Sequence, residues 1–170
     1  LIAIGSDKRA LVASYRYLIM GTIGATFIVL GVGILYALTG TLNLSDIAER
    51  IGDINDNRSK LVALAFLVVG ISLKLALFPL HAWLPNAYSY SPSVAATFLA
   101  ATSTKVGIYL LIRFIFDVFG GGNIFESLGM SYILMSLSLI AIIYGSFAAI
   151  YETNLKKLFA FSSISQIGFI

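Results

Sequence analysis

The stretch GISLKLALFPLHAWLPNAY, Gly70 to Tyr88, places a lysine, a proline and the chain's single histidine inside a run apolar enough for lipid. Lys74 and His81 lie about two helical turns apart, with Pro79 between them. A cation, a helix breaker and a titratable imidazole this close together need a membrane helix that is broken and wetted in its middle. The rest of the chain can be read outward from that requirement.

The surroundings are as apolar as the stretch itself. Of 170 residues, 59% are hydrophobic and 11% charged, and the mean hydropathy is +0.95. Soluble domains carry about 25% charged residues, so a soluble chain of this composition would lack the polar surface to stay dissolved. The expected fold class is an all-α membrane protein: a multi-span helix bundle with one proline-broken transmembrane helix. With no cysteine and one histidine, thiolate metal sites, iron–sulfur clusters and multi-histidine metal sites cannot be built from this chain alone. No cofactor and no metal are therefore expected, and any electrons of a host complex travel elsewhere. The formal net charge of +3 does not indicate nucleic acid, because the cations are scattered and two of them sit inside apolar runs.

A membrane helix needs about 20 mostly apolar residues. Within a single domain covering 1–170, four spans fit: about Tyr17 to Leu38, Leu61 to Leu84, Ser93 to Phe116 and Tyr132 to Ile150, with a fifth starting near Leu158. The first is rich in small residues, Gly21, Gly24, Ala25, Gly31 and Gly33, which let helices approach closely. Pro92 suits the first turn of the third. In the loop TGTLNLSDIAERIGDINDNRSK, an amphipathic piece from Ser45 to Ile54, capped by Ser45, puts Leu44, Ile47, Ile51 and Ile54 on one side and is expected at the interface. The loop DVFGGGNIFESLG is Gly-rich and acidic. One side of the membrane receives Lys8, Arg9, Arg16, Lys156 and Lys157. The other receives Arg50, Arg58, Lys60 and Arg113, so the basic residues favour the Lys8/Lys156 side as cytoplasmic. The chain starts at Leu1 and ends inside an apolar run, which reads as a fragment.

Lys74 falls at the centre of the second span and Lys105 at the centre of the third. A lysine there costs roughly 2.5–3.5 kcal/mol on insertion scales. Two such costs in adjacent helices point to a shared hydrated interior. Burial disfavours a charged lysine and a nearby carboxylate restores it, so such a group can bind and release a proton where an arginine would stay charged. Pro79 leaves the Leu75 carbonyl without its helical donor, one residue past Lys74, and non-helical backbone at this depth is tolerated only against protein or water. His81 is a candidate relay, and Thr102, Ser103 and Thr104 offer hydroxyls for hydration beside Lys105. The plainer readings are that the lysines lock helices together, that His81 hydrogen-bonds in the interior, and that the hydroxyls bond back to their own helix. Trp83 and Tyr88 read as interfacial anchors, and Lys156 and Lys157 as flanking charges.

The block KLALFPLHAWLPNAYSYSPSVAATFLAATSTKVGIYLLIRF, Lys74 to Phe114, resembles the core signature of the proton-conducting antiporter-like membrane subunits of respiratory complex I, membrane-bound hydrogenases and Mrp-type sodium/proton antiporters. NLKKLFAFSSISQIGF, Asn154 to Phe169, and the opening run from Ser6 to Asn43 are similar to the same family, so the resemblance covers nearly the whole chain. It implies a bundle of about fourteen helices with two inverted repeats of about five, each holding a broken helix. This chain would match the end of the fifth helix through the start of the tenth. Lys74 then matches the lysine of the broken seventh helix, Lys105 that of the eighth, and His81 a polar position between them. The resemblance pairs Lys74 with a glutamate that would precede Leu1, and puts a second-repeat lysine beyond Ile170. Gln166 stands where many complex I relatives carry histidine, which tilts the resemblance toward the Mrp branch.

The expected function is proton translocation through a midplane path of buried lysines, coupled to sodium antiport or to a redox-driven complex in which this chain would be a non-redox subunit. Expected partners are the lipid bilayer, other membrane subunits of an antiporter or respiratory complex, and protons, with sodium left open and no nucleic acid. The expected location is a bacterial inner membrane. A structural membrane subunit and a small-molecule transporter are the competing readings.

Overall fold

The computed structural model describes residues 2–5, 8–54, 56–120 and 129–170. Most of the Gly-rich acidic loop, with Glu126, lies outside these residues, as do Asp7 and Asn55. Among the described residues every regular element is helical. A short 3₁₀ turn, Ile2–Gly5, leads to α1 (Lys8–Thr39), α2 (Leu44–Asp53), α3 (Asn57–Leu75), α4 (Leu84–Tyr90), α5 (Ser93–Ile112), α6 (Met130–Tyr151) and α7 (Leu155–Phe169). A π-helical stretch, Arg113–Val118, extends α5.

Three of these are long and apolar enough to cross a membrane: Lys8–Thr39, Ser93–Val118 and Met130–Tyr151. The expected second span is broken, as its proline implied, but the break begins before Pro79. α3 ends at Leu75, the chain turns through residues 76–83, and α4 is only seven residues long. Ala76 takes a left-handed conformation, φ 62°, and its amide and that of Leu77 both donate to the Ser72 carbonyl. This closes the helix end much as a glycine would. The stop falls four residues before Pro79, whose ring clashes with the carbonyl four positions back. The Phe78–Pro79 peptide is cis.

α1 runs antiparallel to α3 and then to α4, so the broken pair accompanies it along its length. At one end Leu35 packs with Ala63, Leu64 and Leu67. In the middle, a Cβ built on Gly70 would come within 2.8 Å of the Gly24 carbonyl, and one on Gly31 within 2.7 Å of Leu67. At the other end Ala13 and Tyr17 meet Trp83, Leu84 and Ala87. Gly24 and Gly31 are therefore the small residues that admit α3, whereas Gly21 and Gly33 face open space. α6 and α7 form a second antiparallel pair joined at Gly145 and Gly168, and α7 contributes Ala160 and Ile164 to the cluster around α4.

Three local expectations are corrected. The cap of α2 is Asn43, whose side chain accepts from the Ser45 amide at 3.2 Å, rather than Ser45 itself. An asparagine carbonyl oxygen reaches an orphan amide of the first turn readily. The apolar face of α2 turns in on the bundle, burying Ile47 and Ile51 against Leu35 and Phe119, while Arg50 Nη1 donates to the Thr39 carbonyl at 2.9 Å and closes α1. Pro92 stands one position outside α5, at its N-cap. At the start of α3, Asp56 accepts from the Arg58 and Ser59 amides and the Ser59 hydroxyl, and these bonds, the hydroxyl's foremost, hold its carboxyl below the usual value.

Candidate functional site

The break exposes the last carbonyls of α3 to whatever lies beside them. The Ser72 carbonyl is taken by the turn. The Leu73 carbonyl receives the Trp83 indole N–H at 3.0 Å, inside the protein. Trp83 is 5% exposed, and its ring meets Tyr17 of α1 edge-on with centroids 5.3 Å apart. It is therefore no interfacial anchor: it fastens the frayed end of α3 to the start of α4. A donor-bearing aromatic just after a proline break, ten residues past the open carbonyl, was the signal available in the sequence.

At this fastened end Lys74 lines a small cavity of about 80 Å³ together with Tyr17, Gly21, Leu73, Trp83 and Ser103. That volume accommodates a few water molecules. Lys74 itself is exposed on the surface of the described chain. Arg113 pairs with Asp117 at 2.8 Å and Lys157 with Glu152 at 3.8 Å, and neither of these ion pairs involves Lys74 or Lys105.

The remaining expected site residues do not all converge on Lys74. Ser103 lines its cavity. Lys105, on the exposed side of α5, folds back to donate to the Ala100 carbonyl at 2.9 Å. Thr102 bonds its own helix at the Phe98 carbonyl, 2.8 Å away. Thr104 is 0% exposed, and its hydroxyl lacks a hydrogen-bond partner. His81, 8% exposed, faces α6: its ring stacks on Phe78 at 5.2 Å and meets the edge of Tyr144 at 4.9 Å, with Nδ1 buried and unpartnered. Pro79 is exposed at the tip of the turn between the two sides.

Two further residues escaped the sequence reading. Tyr88 is 3% exposed with an unpartnered hydroxyl, so it too is a buried residue and no interfacial anchor. Lys156 is more than a flanking charge, because its ammonium donates to the Ser91 carbonyl at 2.8 Å while Asn154 reaches Ser89 at 3.3 Å. The α6–α7 connection thus clasps the turn between α4 and α5. The cations assigned to that side do gather there: Lys8, Arg9 and Arg16 line a cavity of about 370 Å³ with Asn86 and Tyr90 of α4.

The family model described as "NADH:quinone oxidoreductase/Mrp antiporter, TM" matches residues 1–170. The chain belongs to this family. It is 43% identical over its whole length to the NADH-quinone oxidoreductase subunit N of Desulforudis audaxviator, of which it covers 33%. It is 36% identical to a putative antiporter subunit, mnhD2, of Staphylococcus saprophyticus, again covering 33%. A solved relative is a chain of the membrane-bound sulfane sulfur reductase, an archaeal respiratory membrane complex, with 32% identity and a TM-score of 0.89 over 99% of this chain and 34% of that one. The chain thus spans about a third of the length of the relatives it matches. Its all-α membrane fold is that of the family. Both the oxidoreductase and the antiporter branches are represented, so the tilt toward Mrp drawn from Gln166 gains no support from identity.

Proposed function

We propose that these residues are part of a proton-translocating membrane subunit, with Lys74 as the group that takes up and releases the proton. The observation that carries this reading is the position of Lys74. It sits on the last turn of a helix that stops in mid-run, beside a cavity with room for water, in a chain of the antiporter-like family. A lysine at such a place is costly unless hydrated or paired, and its charge responds to small changes in either. Ser103 contributes a hydroxyl to the same cavity. His81 and Lys105 would take part only through motion or water, since neither lines it. Lys105, bonded to its own backbone, is also compatible with a purely structural role. The host would be a multi-subunit respiratory or antiporter complex in a bacterial inner membrane, with sodium antiport as one form of coupling.

The test is proton uptake by vesicles carrying the full-length protein in its assembled complex. Lys74→Ala should abolish uptake, and Lys105→Ala should reduce it. Wild-type uptake by an intact Lys74→Ala complex would overturn the reading in favour of a structural subunit. A sodium requirement for uptake would identify antiport, and selective uptake of an organic solute would favour a small-molecule transporter.

A further inference from the structure

The end of the molecule where Lys8, Arg9 and Arg16 gather carries a basic and an apolar surface in continuity. The three cations line a cavity of about 370 Å³ together with Asn86 and Tyr90, which lie one turn apart on α4. Ligand pockets run to about 300–1,000 Å³. No acidic side chain is among the described residues that line it, and Glu152, an acid of the same side, pairs with Lys157 at 3.8 Å. Asp7 lies outside the described residues, and one carboxylate beside the cavity would still leave two of its three positive charges unbalanced. Lys8 and Arg9 also stand in the first turn of α1, which holds no acid. Unsatisfied amides make that end of a helix positive, so the helix adds to the excess charge. The cavity is sized and charged for an anion.

An apolar hollow adjoins it. Leu11, Tyr15, Ile19 and Met20 line this hollow with Val12 and Arg16, and the last two line the basic cavity as well. Positions 11, 15 and 19, like 12, 16 and 20, are successive i, i+4 neighbours, so the six form one stripe along α1. From Lys8 to Met20 the helix rises about 18 Å, out of the charged segment and into the apolar run that begins at Tyr17. A free anion would use only the basic surface. A molecule with a phosphate at one end and hydrocarbon at the other uses both, in the order in which a bilayer presents them. Basic pockets at the edge of membrane helices recognise anionic head groups in this way. We propose that this edge of the protein binds an anionic phospholipid. Its phosphate is held by the cations, the Asn86 amide and the Tyr90 hydroxyl, and one acyl chain lies along Leu11, Tyr15 and Ile19. Arg16 stands where the two surfaces meet. The proposal is independent of any role of Lys74.

The test uses the full-length protein in its assembled complex, in detergent. Phosphatidylglycerol with a photoreactive group in one acyl chain should label the segment from Leu11 to Met20, and excess plain phosphatidylglycerol should remove the label. Phosphatidylcholine carrying the same group should label it more weakly, because its head group holds a cation that the basic cavity repels. Equal labelling by the two lipids would overturn the proposal. Labelling confined to other segments would do the same, as when another part of the full-length protein covers this face of α1. Loss of the label to inorganic phosphate at the concentration at which the lipid competes would also overturn it, because the site would then take a free anion. These readings are made on the unmodified complex and do not depend on a variant assembling. In the double variant Lys8→Gln/Arg16→Gln, half-maximal labelling should need about 25-fold more phosphatidylglycerol, at about fivefold for each cation beside an anionic lipid. Wild-type affinity in the assembled double variant would overturn the assignment of the phosphate to this cavity.

Discussion

α1 meets two very different partners along its length. Against α3, from Leu35 to Gly24, the contact is dry: Gly24 and Gly31 let the helices come together with backbone atoms nearly touching, and Ala63, Leu64 and Leu67 are fully buried. Against the turn and α4, from Gly21 to Ala13, the same helix faces a cavity, a lysine and an indole, and lends the site its own Tyr17 ring. One stretch of α1 is a seam and the other lines a site. The comparison teaches that the broken helix is stabilised by its unbroken half. A tight seam fixes α3, which leaves its last turn free to end in polar company.

The sharpest way to break this contrast is to overfill the seam. Gly70→Val would drive side-chain atoms into the Gly24 carbonyl and Ile28, both of which are held by helical backbone. Overpacking of this kind costs about 1–3 kcal/mol and occasionally more, so the variant should fail to assemble or melt well below the wild type in detergent. Gly31→Ala meets the Leu67 side chain at 2.7 Å first and the Ala63 carbonyl only at 3.1 Å, and should be milder. Equal effects at the two positions would show that the seam is not rigid backbone packing.

A smaller effect is expected where the site begins. Trp83→Phe keeps an aromatic ring beside Tyr17 but leaves the Leu73 carbonyl without its donor, at a cost of about 1–3 kcal/mol for a buried group. Stability should fall by less than in Gly70→Val, and the pH profile of proton uptake should shift because Lys74 rides on the loosened turn. A variant with the wild-type profile would make the indole a packing residue only.

How much of this was legible beforehand follows from the physics each feature uses. The membrane class and a break beside Lys74 come from composition and from Pro79, which act locally and show in any window of sequence. The break's actual extent, residues 76–83, did not, because it depends on Ala76 adopting a conformation that alanine rarely takes and on an indole ten residues away. For the same reason Trp83, Tyr88 and Lys156 were placed at the membrane surface by residue type, while tertiary contacts put them to use inside or at a clasp. The hydroxyl row beside Lys105 also divided by helix geometry. Thr102, Ser103 and Thr104 point a hundred degrees apart in turn, so one bonds its own backbone, one lines the Lys74 cavity and one is buried.

The smallest expected effect lies at the far end of α3, away from both seam and site. Bonds to the charged form lower the carboxyl of Asp56, so its contribution to stability is present above the ordinary carboxylate value and is lost as pH falls through the lowered one. Asp56→Asn keeps a capping oxygen and should flatten that slope in melting scans below about pH 4, with little change near neutrality. An unchanged slope would assign the acid sensitivity to other carboxylates.

The length of α1 has a consequence of its own. Its 32 residues rise about 48 Å at about 1.5 Å each, against a hydrocarbon core of about 30 Å. Even a tilted rod of that length overshoots the oily layer by several turns. The apolar part of α1 from Tyr17 on is itself long enough for that layer, so the excess includes the segment that carries Lys8, Arg9 and Arg16. Charges in that position would resist being drawn into hydrocarbon, which would limit how deeply the rod can sink and with it the depth at which Lys74 is carried.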